Sequence, residues 1–262
     1  MSMLRTLKIL IQQLGFNPRQ TVNSLRSVPW YIRNYRLLKK DLQKTGQPFA
    51  VESFYPALED RFDTAGSTPL HYFFLDLHVA GLINRNNPVH HVDIGSRLDG
   101  FVAHVAAFRK IEVFDFRPLT VPIPNVTFTR ADLTQQDFPF ADYCDSVSCL
   151  HAIEHFGLGR YGDPVDSEGH IKGLNNIYKL LKPGGTFYFA TPVGPQRIEF
   201  DAHRVFSLAY LLSLFEKSYE LVSFSWIDDQ NKYFPSHKLT GQDIENNLNC
   251  RYGCGIFELR KL

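Results

Sequence analysis

Short apolar runs alternate with stretches of helical periodicity from residue 88 onward, and this alternation constrains the fold more than any other feature. The predicted strands are residues 89–94, 111–116, 126–129, 143–150, 186–191, 219–226 and 255–260. The predicted helices are residues 70–82, 100–108, 171–181 and 208–215. Strands that alternate with helices favour a mostly parallel sheet with helices on both faces, so we expect an α/β domain with seven strands.

The first 69 residues do not follow this pattern. Residues 1–45 are typical of helical pieces separated by turn signals at Asn17-Pro18 and Val28-Pro29. Residues 46–69 contain Pro and Gly and predict a loop-rich connection. We therefore predict a helical N-terminal extension, residues 1–69, followed by the α/β domain, residues 70–262.

The formal net charge of +1 hides a separation of charge along the chain. Residues 1–45 hold nine basic residues and one acidic residue, which leaves 19 basic and 26 acidic residues for the rest. The apolar residues Leu7, Ile11 and Leu14 share one helical face of this basic segment. Such a segment suits an anionic membrane surface, the acidic domain itself or a second copy of the chain. The near-neutral total and the lack of a recognisable RNA-binding module argue against a nucleic-acid partner.

The sequence contains no apolar run of the roughly 18 residues that a membrane-spanning helix needs. The apolar stretch over residues 7–14 is interrupted by Lys8 and two glutamines, and it lacks the cleavage site of a secretory signal. The four cysteines form no paired CxxC spacing, and Cys144 and Cys149 lie in an apolar run typical of buried thiols. We expect a cytoplasmic protein, with the basic segment pointing to a peripheral position at the inner membrane.

Glycines and polar residues follow four of the predicted strands, where an open α/β sheet places its ligand. A glycine permits a tight turn and a close approach of a ligand to the backbone. A carboxylate about 20 residues after the glycine turn suits the hydroxyls of a ribose. In strand order, the candidates are Asp93, Gly95 and Gly100; Asp115; Asp132 and Leu133; and His151, Glu154 and His155. For each carboxylate, the alternative is an ordinary turn or helix cap.

The order of these motifs resembles the class I S-adenosylmethionine-dependent methyltransferases. The motifs are VDIGSRLDG (92–100), the strand-end Asp115, ADL (131–133), LHAIEH (150–155) and LLKPGGTFYFATP (180–192). The LxxxEH segment and the KPGG turn are similar to the small-molecule "type 11" group. The amino-acid sequences of several motifs resemble those of a bacterial family of unknown function associated with surface-polysaccharide biosynthesis. This resemblance covers roughly residues 70–227.

This resemblance implies a Rossmann-like class I methyltransferase fold and S-adenosylmethionine as the cofactor. By position, it assigns the methionine loop to Asp93, Gly95 and Gly100, the ribose to Asp115, the adenine to Asp132 and Leu133, and a further cofactor contact to Leu150. The segment from His151 to His155 would border the transferred methyl group. The chain departs from the family pattern at Arg97 and Asp99, which replace glycines of the methionine loop.

Methyl transfer to a hydroxyl needs a base with a pKa near neutrality, and histidine supplies one. The candidate bases are His155 and His151, with His203 as the third. Each of these histidines has the alternative of a purely structural hydrogen bond. Glu154 and Arg204 are the candidate substrate-binding residues, the latter through an anionic group of the acceptor.

Four residues between the fourth and fifth strands are of types that can bind a metal: Asp163, Asp166, Glu168 and His170. Their spacing matches no compact ligand loop, and they can cap the helix that follows. The sequence therefore predicts no metal.

Together, the motifs favour an S-adenosylmethionine-dependent O-methyltransferase that acts on a sugar or glycan intermediate of surface-polysaccharide synthesis. Two alternatives stay open. One is a non-catalytic binding or scaffold protein whose glycine loop has changed, since a fold does not guarantee a chemistry. The other is an RNA methyltransferase, which the basic segment would favour and the acidic domain would not.

Overall fold

The computed structural model describes residues 3–58, 60–62 and 70–262. The chain divides into two compact units, Met1–Thr68 and Pro69–Leu262. No helix within the described residues is long and apolar enough to cross a membrane.

The first unit contains two long helices, α1 (Met3–Gln13) and α2 (Pro18–Thr45). The side chain of Asn17 caps α2 by accepting from the backbone N–H of Gln20, and Gly46 ends the helix in the left-handed region at φ 65°. The predicted break at Asn17-Pro18 is confirmed. The predicted break at Val28-Pro29 is wrong, because α2 continues through Pro29. An internal proline removes one helical hydrogen bond and does not have to end the helix.

The second unit is built from strands and helices that alternate along most of its length. Its helices are α3 (Leu70–Asn86), α4 (Ala103–Ala106), α5 (Gly169–Leu180), α6 (Leu208–Phe215) and α7 (Gly241–Asn246). Its strands are β1 (His91–Ile94), β2 (Ile111–Asp115), β3 (Val126–Arg130), β4 (Cys144–Leu150), β5 (Leu181–Val193), β6 (Arg197–Glu199), β7 (His203–Val205), β8 (Tyr219–Ile227), β9 (Tyr233–Phe234) and β10 (Gly253–Lys261). Single helical turns occupy Leu98–Val102, Ile153–His155 and Asn247–Asn249.

Eight of the described strands form one sheet in the order β3-β2-β1-β4-β5-β10-β8-β9. The strands from β3 to β5 are parallel, and β10 runs antiparallel between β5 and β8. This arrangement confirms the predicted Rossmann-like class I methyltransferase fold, with eight strands in the sheet rather than seven. The additional strand is β9, which pairs with the end of β8 and stacks the ring of Phe234 on Trp226 at 4.1 Å. A two-residue strand is too short to show alternation in the sequence, so the prediction missed it.

Two apolar clusters cover the two faces of the sheet. One includes Ile177 of α5 and Leu211 of α6, and the other includes Leu75 of α3 and Val105 of α4. All four residues of β1 are buried, as expected of a parallel strand with helices on both faces. The four cysteines are buried and form no disulfide, which agrees with the expectation of buried thiols at Cys144 and Cys149.

The parallel strands bring the candidate motifs to one edge of the sheet. In β1 and β2, Ile94 lies beside Phe114, and in β2 and β3, Asp115 lies beside Arg130. The strands therefore end side by side, and the segments that follow β1, β2, β3 and β4 share the carboxyl edge.

Candidate functional site

A cleft lies at this carboxyl edge, where β1, β2, β3 and β4 end. Among the predicted site residues, those that line it are Gly95, Asp115, Asp132, Leu133, His151 and His155. The other lining residues are mostly apolar, and include the rings of Phe114, Phe116, Phe156 and Tyr161. A concave, mostly apolar cleft with a few convergent polar groups is the usual form of a small-molecule site.

The glycine turn after β1 lies on the wall of the cleft and is held from below by Asp93. Gly95 adopts φ 68°, in the left-handed region, and its N–H donates to the carbonyl of Phe114. The fully buried carboxylate of Asp93 accepts from the backbone N–H of Ser96 at 3.1 Å, from its hydroxyl at 2.7 Å and from the Ser148 hydroxyl at 2.6 Å. Asp93 therefore fixes the path of the loop and does not line the cleft.

Gly100, at the far end of this loop, is required for close packing. A Cβ atom at this position would lie 2.6 Å from Oδ2 of Asp76 on α3. Asp76 is 7% exposed, and burial raises its pKa to about 6. Asp76 is not among the predicted site residues, although the one acidic residue of a mainly apolar helix is a usable signal.

Arg97 and Asp99, the two departures from the family pattern, pair with each other at the surface. The guanidinium donates to the carboxylate of Asp99 at 3.1 and 2.8 Å, and both side chains are more than half exposed. Neither residue lines the cleft at the strand ends. The departure therefore adds no side chain to the lining of this cleft.

Asp115, the candidate ribose ligand, is held by its neighbour in the sequence. Arg117 donates to it from Nε at 3.0 Å, from Nη2 at 2.6 Å and from its backbone N–H at 2.8 Å. The guanidinium of Arg117 also lies over the ring of Tyr161, 4.7 Å from its centroid. Arg117 and Tyr161 both line the cleft, and sequence reasoning did not single out either of them.

Asp132 follows β3 and closes a turn of its own. Its Oδ1 accepts from the backbone N–H of Thr134 at 2.8 Å and from the hydroxyl of Thr134 at 2.7 Å. The turn role that the sequence left open is thus present at Asp132, as it is at Asp115. Both carboxylates nevertheless lie on the wall of the cleft, next to Leu133.

His151 follows β4 in a strained conformation, with φ at 52°. Its Nδ1 is 2.9 Å from Oε1 of Glu154, which is itself 1% exposed. Burial alone would lower the pKa of His151, but Cys254 and Glu154 raise it well above its usual value. The raised pKa makes His151 a weaker candidate for a general base, and Glu154 lies behind the wall as its partner.

His155 has the opposite electrostatic character. Its Nδ1 is 2.7 Å from the carbonyl oxygen of Ala202, so this nitrogen carries the proton and Nε2 keeps a lone pair. Burial lowers the pKa of His155, and the ring is neutral at pH 7. Tyr161 packs edge-on against the ring at 5.5 Å. Of the three histidines predicted as bases, His155 combines a place on the cleft wall with the neutral state.

Three other predicted site residues do not line the cleft. Arg204 is 5% exposed and donates to the backbone carbonyls of Phe156 at 2.6 Å and Ser167 at 3.3 Å, so its guanidinium is used in packing. Leu150 is buried in the core cluster that includes α3. His203 lies behind His155, with ring centroids 6.3 Å apart.

Residues 163–170 contain the four side chains that were considered as metal ligands, and three of these side chains have other partners. Asp163 accepts from the backbone N–H groups of Gly157, Gly159 and Tyr161 at 3.0 to 3.2 Å. Asp166 pairs with Lys172 at 2.6 Å, and the ring of His170 is 2.9 Å from the hydroxyl of Tyr210. These side chains point to separate partners and do not converge.

Two solved methyltransferases share similarity with this chain over about 70% of its length. The 1,6-didemethyltoxoflavin-N1-methyltransferase of Burkholderia thailandensis, solved with 1,6-didemethyltoxoflavin and S-adenosylhomocysteine, is 13% identical. The match covers 72% of this chain and 79% of that chain, with a TM-score of 0.49. The N-methyltransferase NodS of Bradyrhizobium japonicum, in complex with S-adenosylhomocysteine, is 12% identical, with a TM-score of 0.45 and coverage of 71% and 87%.

No curated protein matches the sequence. A family model matches residues 124–261, which is more than half of the 262 residues. That family is described by its occurrence in Caenorhabditis, so the bacterial, polysaccharide-associated family expected from the motifs stays a prediction. The chain belongs to the family described as Caenorhabditis protein of unknown function, DUF268.

Proposed function

We propose that this protein is an S-adenosylmethionine-dependent methyltransferase that methylates a hydroxyl of a sugar or glycan intermediate. The observation that carries the proposal is the composition of the cleft. Gly95, Asp115 and Asp132 come from the ends of three successive parallel strands, and His155 follows the fourth. They supply a backbone turn for the methionine end, a carboxylate for the ribose, a carboxylate for the adenine amino group and a base for the acceptor.

Two buried carboxylates support a ligand with positive charge beside the glycine turn. Asp93 accepts hydrogen bonds from Ser96 and Asp76 lies against Gly100, both in the segment from Gly95 to Gly100, and burial raises the pKa of each to about 6. A raised pKa means that the ionised carboxylates are under-compensated by their surroundings. The ammonium and sulfonium groups of S-adenosylmethionine would supply the missing positive charge.

The chemistry asked of the protein is limited, because the bound cofactor supplies an already activated methyl group. The chain must hold the acceptor oxygen in line and take its proton. His155 suits the second task, since Nδ1–H donates to the carbonyl of Ala202 and leaves Nε2 as the acceptor. The rings of Phe156 and Tyr161 also line the cleft.

The non-catalytic alternative rests on the altered glycine loop, and the structure gives it little support. Arg97 and Asp99 pair with each other at the surface and do not occupy the cleft. The sugar acceptor is supported by the motif resemblance to the polysaccharide-associated family alone.

The proposal is tested first by calorimetry with S-adenosylhomocysteine, and then by transfer of a labelled methyl group to polysaccharide intermediates. We expect binding by the wild-type chain, and much weaker binding by Asp115→Asn. No binding by the wild-type chain would refute the cofactor assignment. Binding without transfer to any acceptor would favour the scaffold alternative, and methylation of RNA with a gel shift at physiological salt would favour the RNA methyltransferase.

For the N-terminal unit, we propose docking on an anionic membrane surface. Leu7, Leu10 and Leu14 are each more than half exposed. The basic residues described on α2 are also exposed, namely Arg26, Arg33, Arg36, Lys39, Lys40 and Lys44. Apolar and basic side chains together are what an interfacial helix uses.

Vesicle sedimentation of the full chain tests this docking. We expect more binding to vesicles with anionic lipid than to neutral vesicles, and less binding for the double variant Leu7→Glu, Leu10→Glu. Equal sedimentation with both kinds of vesicle would remove the membrane proposal and leave self-association, which ultracentrifugation without lipid would detect. Membrane docking would place the protein peripherally on the cytoplasmic side of the inner membrane.

A further inference from the structure

Three side chains from distant parts of the sequence converge behind the wall of the cleft. His71 lies on α3, His151 follows β4, and Cys254 lies on β10. One ligand atom from each, a ring nitrogen or the sulfur, lies within 4.8 Å of the other two. Cys254 and His71 are buried, at 0% and 7% exposure, and the side chain of His151 is 5% exposed.

One atom of this group is an orphan. Nε2 of His151 is buried and makes no hydrogen bond of normal geometry within the described residues, although Cys254 lies close enough to act on the ring. A buried polar atom without a partner is rare in folded proteins and calls for a specific explanation, such as an ion. The orphan nitrogen belongs to the same ring whose other nitrogen is fixed by Glu154.

The surroundings of the two histidines resemble those of metal ligands. Metal-binding histidines almost always use their second ring nitrogen to contact a carboxylate, a carbonyl or water. His151 contacts the carboxylate of Glu154 at 2.9 Å, and Thr191 supports the other oxygen of that carboxylate at 3.4 Å. The ring of His71 lies near the backbone of Asp228.

We propose that His71, His151 and Cys254 form a zinc site with one open coordination position. Two imidazole nitrogens and a thiolate are zinc ligands, whereas magnesium and calcium prefer oxygen. Zinc bonds of about 2.1 Å to nitrogen and 2.3 Å to sulfur place tetrahedral ligands about 3.4 to 3.6 Å apart. The three side chains thus need to close by little more than about 1 Å.

A bound divalent cation would keep the charge of this group balanced. Zinc binding displaces the proton from Nε2 of His151 and from the thiol of Cys254. The charges of Zn²⁺, the Cys254 thiolate and the Glu154 carboxylate then cancel. A neutral group is what a buried position accommodates at the least cost in free energy. Three protein ligands leave the fourth coordination position for water or for an oxygen of a bound molecule. One of the three ligands, His151, also lines the cleft.

Cobalt(II) titration of the full, untagged, metal-free chain tests the site in the presence of a phosphine reductant. Cobalt replaces zinc in such sites and reports a bound thiolate by a charge-transfer band in the near ultraviolet. We expect one cobalt per chain, the thiolate band, and displacement by one equivalent of zinc. The matched variants are Cys254→Ala and Cys144→Ala, since both remove a fully buried thiol, and Cys144 lies at the opposite end of the sheet.

Cys254→Ala should lose the thiolate band, and Cys144→Ala should keep it. Glu154→Gln should keep the band and bind about 10- to 100-fold more weakly, as outer partners of metal ligands do. Failure of the wild-type chain to bind cobalt or zinc stoichiometrically, or an unchanged band in Cys254→Ala, would overturn the proposal. If circular dichroism shows that Cys254→Ala does not fold, His71→Gln decides instead, with weakened binding expected and unchanged binding contradicting the site.

Discussion

Arg117 holds the carboxylate of Asp115 with two side-chain hydrogen bonds, at 3.0 and 2.6 Å, on the wall of the cleft. Asp115 is 14% exposed and Arg117 is 47% exposed, so the arginine covers the carboxylate from the solvent side. A carboxylate has about four lone-pair positions. With the backbone N–H of Arg117 included, three of them are in use, which leaves too few for a ribose diol.

We therefore predict that Arg117→Ala binds S-adenosylhomocysteine more tightly than the wild-type chain. The expected gain is about 3- to 10-fold in Kd, or about 0.7 to 1.4 kcal/mol, because the variant no longer has to displace the guanidinium. Calorimetry measures it. Arg197→Ala is the matched control, because the guanidinium of Arg197 donates two hydrogen bonds to Glu199, two residues away, and does not line the cleft. Weaker binding by Arg117→Ala would show that the guanidinium contacts the ligand directly.

His155→Ala should keep its affinity for the cofactor and lose about 100-fold or more in turnover, because only the proton acceptor is removed. Since burial lowers the pKa of His155, the base stays neutral down to pH values below the usual 6.5. Turnover should therefore be nearly constant from pH 7 to pH 8 and fall only in more acidic buffer. Labelled-methyl transfer across this range measures both effects. His90→Ala, at the amino end of β1, is the control. Normal turnover in His155→Ala would show that another group acts as the base.

Asp76→Asn should stabilise the fold at neutral pH. The pKa of Asp76 is about 6 in the folded chain against 3.8 for the free side chain, so at pH 7 the folded state carries an unfavourable ionised carboxylate. The neighbouring His104, His151 and Arg97 only partly offset this effect. As the pH falls through 6 toward 4, the folded state takes up the proton first and the penalty disappears.

The expected gain in the free energy of unfolding is about 1 to 3 kcal/mol at pH 7.5 and clearly less at pH 5. Urea unfolding at the two pH values measures it, and Asp99→Asn serves as the exposed control. The same variant should weaken binding of S-adenosylmethionine more than that of S-adenosylhomocysteine, which lacks the sulfonium. An equal gain at both pH values would contradict the assigned pKa.

Replacement by alanine should change the stability of the fold in opposite directions at two helical glycines. A Cβ atom on Gly173 of α5 would lie 2.6 Å from the ring of Phe156 and 2.7 Å from Ile153, whereas Gly81 of α3 has open space around it. Gly173→Ala should lose about 1 to 3 kcal/mol through overpacking. Gly81→Ala should gain up to about 1 kcal/mol from helix propensity. Thermal unfolding distinguishes them, and a stable Gly173→Ala would mean that Phe156 can move out of the cleft wall.

The sequence located the edge of the sheet that carries the cleft. Gly95, Asp115, Asp132 and His155 were found because each follows an apolar run, and parallel strands place such positions side by side. The same reasoning failed for Arg204, because proximity to a strand end does not say whether a side chain faces the cleft or the protein interior. Arg117 was overlooked since a charged residue in a turn is usually solvated, and only the structure shows it over Asp115.

What the sequence determined by itself is the α/β alternation and, with it, the row of strand-end residues, because strand periodicity and glycine turns are local properties. What only the tertiary structure decided is the meeting of His71, His151 and Cys254. Strand β10 inserts antiparallel beside β5, so Cys254, near the start of β10, pairs with Pro192 near the end of β5. An antiparallel strand brings its first residues to the edge where its parallel neighbours finish, and no local pattern in the sequence encodes that reversal.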